Sequence, residues 1–271
     1  MSQVVVAKPK KQTAPSIRAM KGKKAIVSIA AYTAPIARIL EDRADLILVG
    51  DSLGMAIYGM SSTVGVTLEM MITHGRAVVN AAPTPCVMVD MPFGTYERSC
   101  EQAFENASRI MMETGCDAVK LEGGQTIAPT IAFLTARGIP VCGHIGLQPQ
   151  LMKTLGGFIT QGKSSDSAEQ ILADAKAIEE AGVFAMVVEA VPETLGKEIT
   201  KTVNVPTIGI GGGRYCDGQI LLIDDLTGLL TDFKPKFIKR YADLAGEITK
   251  SVDSFASDIR AGAFPGVDQV Y

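Results

Sequence analysis

Four apolar runs in this sequence end in a carboxylate, and these acids are the residues most suggestive of chemistry. The runs read Leu-Val-Gly-Asp51, Met-Val-Asp90, Val-Lys-Leu-Glu122 and Val-Val-Glu189. An acid inside a buried strand is costly unless it is paired or bound to a metal. If all four acids converged on one cavity, their mutual repulsion would favour a bound cation. The pattern therefore predicts metal-assisted or acid–base chemistry.

The ligand types favour a hard divalent cation, with Mg²⁺ as the best candidate. One or two carboxylates usually hold Mg²⁺, while water and substrate fill its other positions. Zinc prefers His and Cys, and His144 would be the only imidazole available because His74 falls in a predicted surface helix. Glu189 lies far along the chain from the other acids, so we interpret it as a proton acceptor rather than a metal ligand.

Each of these residues also has a purely structural interpretation. Asp51 could cap a helix, and Asp90 before Met-Pro could close a turn. Lys120 and Glu122 could form a structural ion pair, and His144 could be a core imidazole with satisfied hydrogen bonds. For most of these residues taken alone, the structural interpretation is favoured. The convergence of several acids on one place is what favours a functional site.

Short β-rich apolar runs alternate along the chain with longer segments of helical spacing, and these elements would position the acids. The spacing predicts seven strands, at 25–32, 46–51, 86–91, 118–122, 140–146, 185–191 and 206–211. An eighth strand is predicted within 220–225. The clearest helices are predicted at 101–114, 167–181 and 193–202, and a further C-terminal helix at 234–261. This alternation requires a parallel sheet, because parallel neighbours need a crossover connection.

Two parallel architectures fit the alternation, and the position of the glycine run discriminates between them. A dinucleotide-binding fold would show GxGxxG after an early strand, whereas Gly209-Ile-Gly-Gly-Gly-Arg214 follows the seventh strand and has Arg at the last position. We therefore predict an α/β fold, a single-domain (β/α)₈ TIM barrel with an extra C-terminal helix. Active sites of such barrels lie at the carboxyl ends of the strands, where the acids fall. Strand pleating also puts Lys120 and Glu122 on the same face.

Composition narrows the class of protein. The chain has 271 residues, of which 47% are apolar and 20% charged, a profile that excludes a disordered chain and a mini-protein. Seven Lys or Arg and no acid occur in residues 1–24, whereas the net charge of the whole chain is −3. The remainder is therefore acidic, which argues against nucleic acid as a partner. We predict a basic N-terminal arm over 1–24 and a catalytic barrel domain over 25–271.

The five cysteines and the hydropathy profile bear on location. The cysteines are odd in number and form no CxxC pair, so neither a disulfide framework nor a cysteine zinc site is indicated. No run reaches the roughly 20 apolar residues of a membrane span. An organellar transit peptide would be richer in Ser and Arg than residues 1–24 are. A soluble cytoplasmic protein without a membrane partner is expected.

A set of motifs in shared order resembles the ketopantoate hydroxymethyltransferase family. The motifs span about 24–266 and read Val49-Gly-Asp-Ser-Leu-Gly54, Asp90-Met-Pro-Phe93, Ala103-Phe-Glu-Asn-Ala107, Val119-Lys-Leu-Glu-Gly-Gly124, Val141-Cys-Gly-His-Ile-Gly-Leu147, Gln161-Gly-Lys163, Glu189-Ala-Val-Pro192 and Asp217-Gly-Gln-Ile220. Each motif alone is weakly specific, but their common order and spacing are highly specific. The family, also called 3-methyl-2-oxobutanoate hydroxymethyltransferase, belongs to the phosphoenolpyruvate/pyruvate barrel superfamily.

The resemblance implies an activity and its ligands. The expected reaction moves a hydroxymethyl group from 5,10-methylenetetrahydrofolate to 3-methyl-2-oxobutanoate through a Mg²⁺-stabilised enolate. The product is 2-dehydropantoate, a precursor of pantothenate and coenzyme A. A homodecamer is the usual assembly of this family, so a homo-oligomer is expected here.

The resemblance also implies roles for individual residues. Glu189 would be the catalytic base. Asp51 and Asp90 would bind Mg²⁺ and contact the substrate, with Glu122 close to the ion directly or through water. The remaining residues implied to bind the oxo acid are Ser52, Lys120 and His144.

Two other functions compete with this one. Other Mg²⁺-dependent barrels of the superfamily cleave or join C–C bonds in 2-oxo acids, but they usually carry a catalytic Cys in a Lys-Lys-Cys-Gly-His type loop. No such run occurs here, because Val141-Cys-Gly-His144 lacks the lysines and belongs to a predicted strand. A catalytically silent scaffold barrel would be expected to have lost Glu189 or Asp90, and both are present.

Overall fold

The computed structural model describes residues 10–231 and 235–271. The described residues form two compact units that divide between Leu221 and Leu222, and the first contains all but the last residue of a closed barrel of eight strands. Each strand pairs with the next in parallel, from β1 to β8, and the ring is closed. The strands are β1 Ile26–Ala30, β2 Leu46–Val49, β3 Cys86–Asp90, β4 Ala118–Glu122, β5 Val141–Gly146, β6 Ala185–Glu189, β7 Thr207–Ile210 and β8 Gly218–Leu222. The predicted TIM barrel is therefore confirmed.

Helices cross over between most consecutive strands of the barrel. The helices of the described residues are α1 Ala14–Arg18, α2 Ala34–Leu40, α3 Leu53–Ala56, α4 Leu68–Ala81, α5 Cys100–Thr114, α6 Ala128–Thr135, α7 Met152–Leu155, α8 Ser165–Glu180, α9 Glu193–Thr202, α10 Ile223–Thr227 and α11 Leu244–Ala261. Short 3₁₀ turns occur at Thr63–Gly65, Pro149–Leu151 and Val267–Gln269. The connection from β7 to β8, residues 211–217, contains no helix.

Most predicted elements are confirmed within a few residues, and β4 and α9 have the predicted bounds. The eighth strand was predicted too late, because residues 223–225 begin α10 instead. Asp224 and Asp225 occupy the first turn of that helix, where negative charge is favourable. The C-terminal helix was predicted too early: α11 begins after Asp243, whose side chain accepts a hydrogen bond from the Gly246 backbone N–H at 3.2 Å. Its predicted start, Lys234, lies outside the described residues.

The barrel strands are buried on both faces, as parallel strands covered by helices must be. Every residue of β2, β3 and β4 is buried. Fully burying a Val or Leu side chain contributes about 1.5–3 kcal/mol. The apolar residues of these strands offset the cost of burying a few polar side chains at their carboxyl ends.

Lysines of the predicted arm lie against the amino-terminal end of the barrel. Residues 10–24 form α1 and a turn, and Ala14 and Ile17 of this helix are buried. Three ion pairs connect this segment to acids that immediately precede β4, β8 and β2: Lys11 to Asp117 at 2.7 Å, Lys21 to Asp217 at 2.8 Å and Lys24 to Asp45 at 2.6 Å. The domain boundary between residues 24 and 25 stays a prediction.

The unit formed by residues 222–271 contains α10 and α11. No residue of α11 is buried. Its apolar side chains fall on one face at intervals of three or four residues and are 36–58% exposed: Leu244, Ile248, Val252, Phe255 and Ile259. Among the described residues, we find no helix with the length and apolar character needed to cross a membrane.

Candidate active site

The first acid, Asp51, follows β2 after a glycine that has no room for a side chain. A Cβ atom at Gly50 would lie 2.8 Å from Oγ of Ser52 and 3.4 Å from Oδ2 of Asp90. The backbone N–H of Asp51 donates to the same Asp90 oxygen at 3.0 Å. Gly50 therefore allows β2 to bring Asp51 and Ser52 against the end of β3.

The register of β3 and β4 pairs the second acid with the lysine. Asp90 is the register partner of Lys120, and Oδ1 of Asp90 lies 2.8 Å from Nζ of Lys120. Both side chains are about 4% exposed, so neither charge is screened by bulk water. Removing either partner would leave an uncompensated buried charge.

The register of β4 and β5 continues the cluster around the barrel. Glu122 is the register partner of His144, and Oε1 of Glu122 lies 3.4 Å from the ring Nδ1. The other ring nitrogen, Nε2, lies 3.0 Å from Oε2 of Glu189 on β6. His144 therefore stands between two carboxylates, and its Nδ1 is also 3.1 Å from Nζ of Lys120.

The backbone holds Glu189 firmly at the end of β6. Its carbonyl accepts a hydrogen bond from the Leu147 N–H at 2.9 Å. The next residue, Ala190, has a φ of +47°, a left-handed conformation that is strained for a residue with a Cβ. Ala190 also donates to the carbonyl of Ile210 and accepts from the Gln161 N–H, both at 2.9 Å. These three hydrogen bonds fix the direction in which Glu189 leaves the strand.

Ser52 forms a hydrogen bond with a tyrosine in the segment that follows β1. Its Oγ lies 2.9 Å from the hydroxyl of Tyr32, which is 2% exposed. Oγ of Ser52 and Oδ2 of Asp90 both border the space that a Cβ at Gly50 would occupy, at 2.8 and 3.4 Å from it. Ser52 thus offers a hydroxyl beside the two aspartates.

Burial and repulsion act on the two aspartates. Burial raises the pKa of Asp51 well above its usual value, and the nearby carboxylates of Asp90 and Glu122 raise it further. Burial also raises the pKa of Asp90, although the ammonium of Lys120 opposes this effect. In both residues the protein disfavours the negative charge, which a bound cation would stabilise.

The pKa of Glu122 moves in the opposite direction. Burial alone would raise it, but His144, Lys120 and the backbone N–H of Gln150 together lower it below its usual value. The pKa of Lys120 is raised, because the attraction of three carboxylates outweighs the effect of burial. This lysine is therefore a fixed positive charge.

His144 has two protonation states with different partners. Burial and Lys120 lower its pKa, but contacts with Glu122 and Glu189 outweigh them and raise it to about 9. In the imidazolium, Nδ1–H faces Glu122. In the neutral ring, Nδ1 can accept from Lys120 only if the proton is on Nε2, toward Glu189. The raised pKa favours the imidazolium near neutral pH.

Two residues that the sequence did not reveal complete the cluster. Gln150, on the 3₁₀ turn after β5, donates from Nε2 to Asp51 and from its backbone N–H to Glu122. Tyr96, in the loop after β3, donates from its hydroxyl to the amide oxygen of Gln150. Both are neutral loop residues without a motif, and a Pro-Gln or Thr-Tyr pair gives no signal for burial beside acids.

The carboxylates fit a Mg²⁺ ion better than a metal with many protein ligands. Within residues 10–231 and 235–271, no group of three or more His, Cys, Asp or Glu side chains is arranged to hold a metal. Mg²⁺ usually takes one or two carboxylates and completes its coordination with water and substrate. Asp51 and Asp90 provide such a pair of buried oxygen donors with raised pKa values. Their chemistry therefore matches a hard divalent cation.

The structure brings together all of the residues predicted from the sequence. The group comprises Asp51, Ser52, Asp90, Lys120, Glu122, His144 and Glu189. Such a cluster can bind an anionic substrate near a cation through Lys120 and accept a proton at Glu189. His74, by contrast, lies in α4 and bonds to Tyr32 and Tyr58 rather than to the acids.

The chain is similar to known proteins over nearly its whole length. Residues 11–267 match the family model described as ketopantoate hydroxymethyltransferase. A 3-methyl-2-oxobutanoate hydroxymethyltransferase of Rhizobium rhizogenes is 56% identical over 97% of this chain and 96% of its own length. A protein of the same name from Paracoccus denitrificans is 54% identical over 94% of this chain and 92% of its own.

Solved structures share the fold at low sequence identity. A phosphonopyruvate hydrolase superposes with a TM-score of 0.62 at 14% identity, covering 95% of this chain and 90% of its own. The same kind of enzyme has been solved in complex with oxalate and Mg²⁺, with a TM-score of 0.60 to this chain at 14% identity, covering 95% of this chain and 90% of its own. A 2,3-dimethylmalate lyase of the PEP mutase/isocitrate lyase superfamily gives 0.61 at 14% identity, covering 96% and 92% of the two chains.

Proposed function

The chain belongs to the ketopantoate hydroxymethyltransferase family and transfers a hydroxymethyl group to 3-methyl-2-oxobutanoate, and we propose that it uses Mg²⁺ and 5,10-methylenetetrahydrofolate to do so. The observation that carries the proposal is the pair of buried aspartates, Asp51 and Asp90. Their pKa values are raised, and a single lysine is shared among the surrounding acids. A divalent cation would compensate the excess negative charge.

Asp51 and Asp90 would hold the ion, with Glu122 beside them. When bound, Mg²⁺ would supply Lewis-acid polarisation of the 2-oxo group and so make the C3 proton of the substrate more acidic. Support comes from the phosphonopyruvate hydrolase of the same fold, which binds Mg²⁺ together with oxalate, a small dianion.

Lys120 and Ser52 would bind and orient the oxo acid. The ammonium of Lys120 is buried and permanently charged, so it can neutralise the substrate carboxylate without being displaced by water. Its pairing with Asp90 fixes the ammonium next to the metal site. The hydroxyl of Ser52 offers a second, neutral contact on the same side of the cluster.

Glu189 would remove the C3 proton. Its carboxylate is 14% exposed and lies 3.0 Å from Nε2 of His144, a contact that orients the carboxylate at the end of β6. The electron pair of the broken C3–H bond then forms the bond to the one-carbon unit. Both bonds between that carbon and the folate nitrogens N5 and N10 break, and water supplies the hydroxyl oxygen of the product. The proton from C3 and the proton released by water go to the two nitrogens.

A turnover assay with omissions tests this proposal. Purified protein treated with chelator is supplied with the oxo acid, methylenetetrahydrofolate and Mg²⁺, and 2-dehydropantoate is measured by mass spectrometry. We expect product only when all three are present. Full activity without a divalent ion would overturn the metal role, and full activity with formaldehyde in place of the folate would overturn the role of the co-substrate.

We further propose a cytoplasmic homo-oligomer, a homodecamer as is usual in this family. Support comes from the apolar face of α11, which a second copy of the chain would bury. Free, buried thiols such as Cys86 and Cys142 fit a reducing compartment. Mass photometry of the purified protein should give ten times the chain mass of 28.6 kDa, and a monomer would overturn this assembly.

A further inference from the structure

Gln150 is a buried amide in the middle of the acidic cluster. It is 4% exposed and lies on the 3₁₀ turn Pro149–Leu151 that follows β5. None of the roles proposed above uses it. A buried amide beside several acids is costly unless its donors and acceptor are all satisfied.

Gln150 uses its backbone and both ends of its amide. Nε2 donates to Oδ2 of Asp51 at 2.8 Å and to the carbonyl of Met91 at 3.0 Å. The backbone N–H donates to Oε2 of Glu122 at 3.0 Å. One residue therefore provides a hydrogen-bond donor to an acid on each of two strands.

Tyr96 determines which way the amide of Gln150 faces. Its hydroxyl lies 2.6 Å from Oε1 of Gln150 and 3.3 Å from both the backbone N and the carbonyl O of Glu122. A hydroxyl has one proton, so it donates to Oε1, which is the nearer acceptor, and accepts from the Glu122 N–H. A flipped amide would place its oxygen against the Asp51 carboxylate and the Met91 carbonyl. The tyrosine, Asp51 and Met91 thus together keep the NH₂ group toward Asp51.

We propose that Gln150, held in orientation by Tyr96, is a positioning residue for the acids of the metal site. Its two donors each engage one oxygen of Asp51 and of Glu122, which fixes the rotamer of each carboxylate. Both donors, the side-chain amide to Asp51 and the backbone N–H to Glu122, are neutral. They therefore restrain two mutually repelling anions without competing with a cation, as a lysine would. This inference rests on the proposed Mg²⁺ site.

The test measures metal binding directly, in protein without substrates. Mn²⁺ is the probe, and its binding to the chelator-treated full chain is followed by electron paramagnetic resonance. Gln150→Met keeps the shape of the side chain but removes the amide, and we expect Mn²⁺ affinity to fall about 10- to 100-fold. Tyr96→Phe keeps the amide but frees its orientation, so a smaller loss is expected.

Gln102→Met is the matched control. The amide of Gln102 also makes two hydrogen bonds, to the carbonyl of Gly94 at 2.9 Å and from the N–H of Arg98 at 3.1 Å. These anchor the loop that contains Tyr96, but they do not touch an acid of the site. We expect wild-type Mn²⁺ affinity in this variant. An equal loss in Gln102→Met and Gln150→Met would show that loop anchoring alone is at work and would overturn the inference.

Kinetics provide a readout that general destabilisation would not move. If Gln150 acts only by positioning the acids, saturating Mg²⁺ should restore most of the kcat of Gln150→Met, while the Mg²⁺ concentration for half-maximal rate rises about 10-fold or more. Wild-type Mn²⁺ affinity in both Gln150→Met and Tyr96→Phe would overturn this inference alone. A wild-type protein that binds no Mn²⁺ would instead overturn the proposed metal site as well.

Discussion

Both ends of the barrel carry buried or half-buried acids, but the two sets have opposite environments. At the amino-terminal end, each acid has its own lysine and also accepts a backbone N–H, from Val27 to Asp45, from Val87 to Asp117 and from Thr207 to Asp217. At the carboxyl end, Asp51, Asp90 and Glu122 lie together and share Lys120.

The pKa directions express the same contrast. The pKa of Asp217 is lowered, because hydrogen bonds and the charge of Lys21 outweigh its burial. The pKa of Asp51 is raised by burial and by its acidic neighbours. An acid that has a lysine of its own stabilises the fold, whereas acids that share a single lysine are available for a cationic ligand. Four substitutions test this division, in order of decreasing effect.

The largest effect is expected for Glu189→Gln. The amide keeps the size of the side chain but cannot accept the C3 proton, so loss of deuterium from C3-labelled 3-methyl-2-oxobutanoate should slow by about 10²- to 10⁴-fold. Proton NMR measures this exchange. Glu193→Gln is the control, because Glu193 is paired with Arg214 at 2.8 Å and should exchange normally. Unchanged exchange in Glu189→Gln would remove Glu189 as the base.

Asp90→Asn should weaken binding of both Mg²⁺ and the oxo acid. The substitution removes the charge of a proposed metal ligand and leaves Lys120 without its charged partner at 2.8 Å, so each affinity should fall by about 10-fold or more. Isothermal titration calorimetry gives both constants. Asp117 immediately precedes β4 at the amino-terminal end of the barrel, so Asp117→Asn should leave both binding constants unchanged. An equal loss of affinity in Asp90→Asn and Asp117→Asn would contradict the distinction between the two ends of the barrel.

Asp217→Asn should destabilise the fold without altering kcat. Asp217 accepts from Lys21, Gly22 and Thr207, and losing charge-assisted acceptors should lower the free energy of unfolding by about 1–3 kcal/mol at pH 7. Because its folded pKa is lowered, this stabilisation is present above the ordinary value near 4 and is lost as pH falls through the lowered pKa.

Urea unfolding of wild type and Asp217→Asn at pH 7 and at pH 3 measures the effect. The difference between the proteins should be large at pH 7 and shrink at pH 3. Lys24→Met is the control, since Lys24 is 62% exposed and its ion pair should contribute less than about 1 kcal/mol. A constant difference at both pH values would contradict the linkage.

Asp51→Asn should have the smallest effect of the four substitutions. Its effect on the free energy of unfolding should be opposite in sign to that of Asp217→Asn. In chelator-treated protein at pH 7 the variant should be as stable as wild type or more stable by about 1 kcal/mol, because it removes a buried charge yet keeps an acceptor for Gln150. The raised pKa means that wild type loses stability as pH rises from the ordinary value through the raised one.

The gap between Asp51→Asn and wild type should therefore widen with increasing pH. Thermal unfolding from pH 4 to pH 8 measures it. A loss as large as that of Asp217→Asn would show that Asp51 has a structural rather than a ligand-binding environment.

Much of the barrel and of its acidic cluster could be predicted from the sequence. Buried strands such as β4 are short apolar runs between turn residues, and parallel strand ends must converge, so acids at those ends must meet. The start of α11 is determined by the helix cap at Asp243, and the end of β8 is determined by the start of helix α10. Neither boundary can be recognised from the spacing of apolar residues alone.

Contacts between distant segments were beyond the reach of the sequence. Gln150 and Tyr96 are 54 residues apart and meet only because their loops follow β5 and β3 of one closed ring. The lysines of residues 10–24 were predicted only as part of a basic arm, since nothing local indicates that Lys21 lies near Asp217. Long-range pairing of this kind follows from closure of the barrel.

The left-handed backbone of Ala190 limits how this enzyme could be made more heat-resistant. Replacing this alanine by glycine would relieve the left-handed conformation, which is worth about 1–2 kcal/mol. The same change would give more conformational freedom to the backbone directly beside Glu189. An engineer who selected for survival at high temperature alone would therefore be drawn to a position where added flexibility misaligns the proposed proton acceptor.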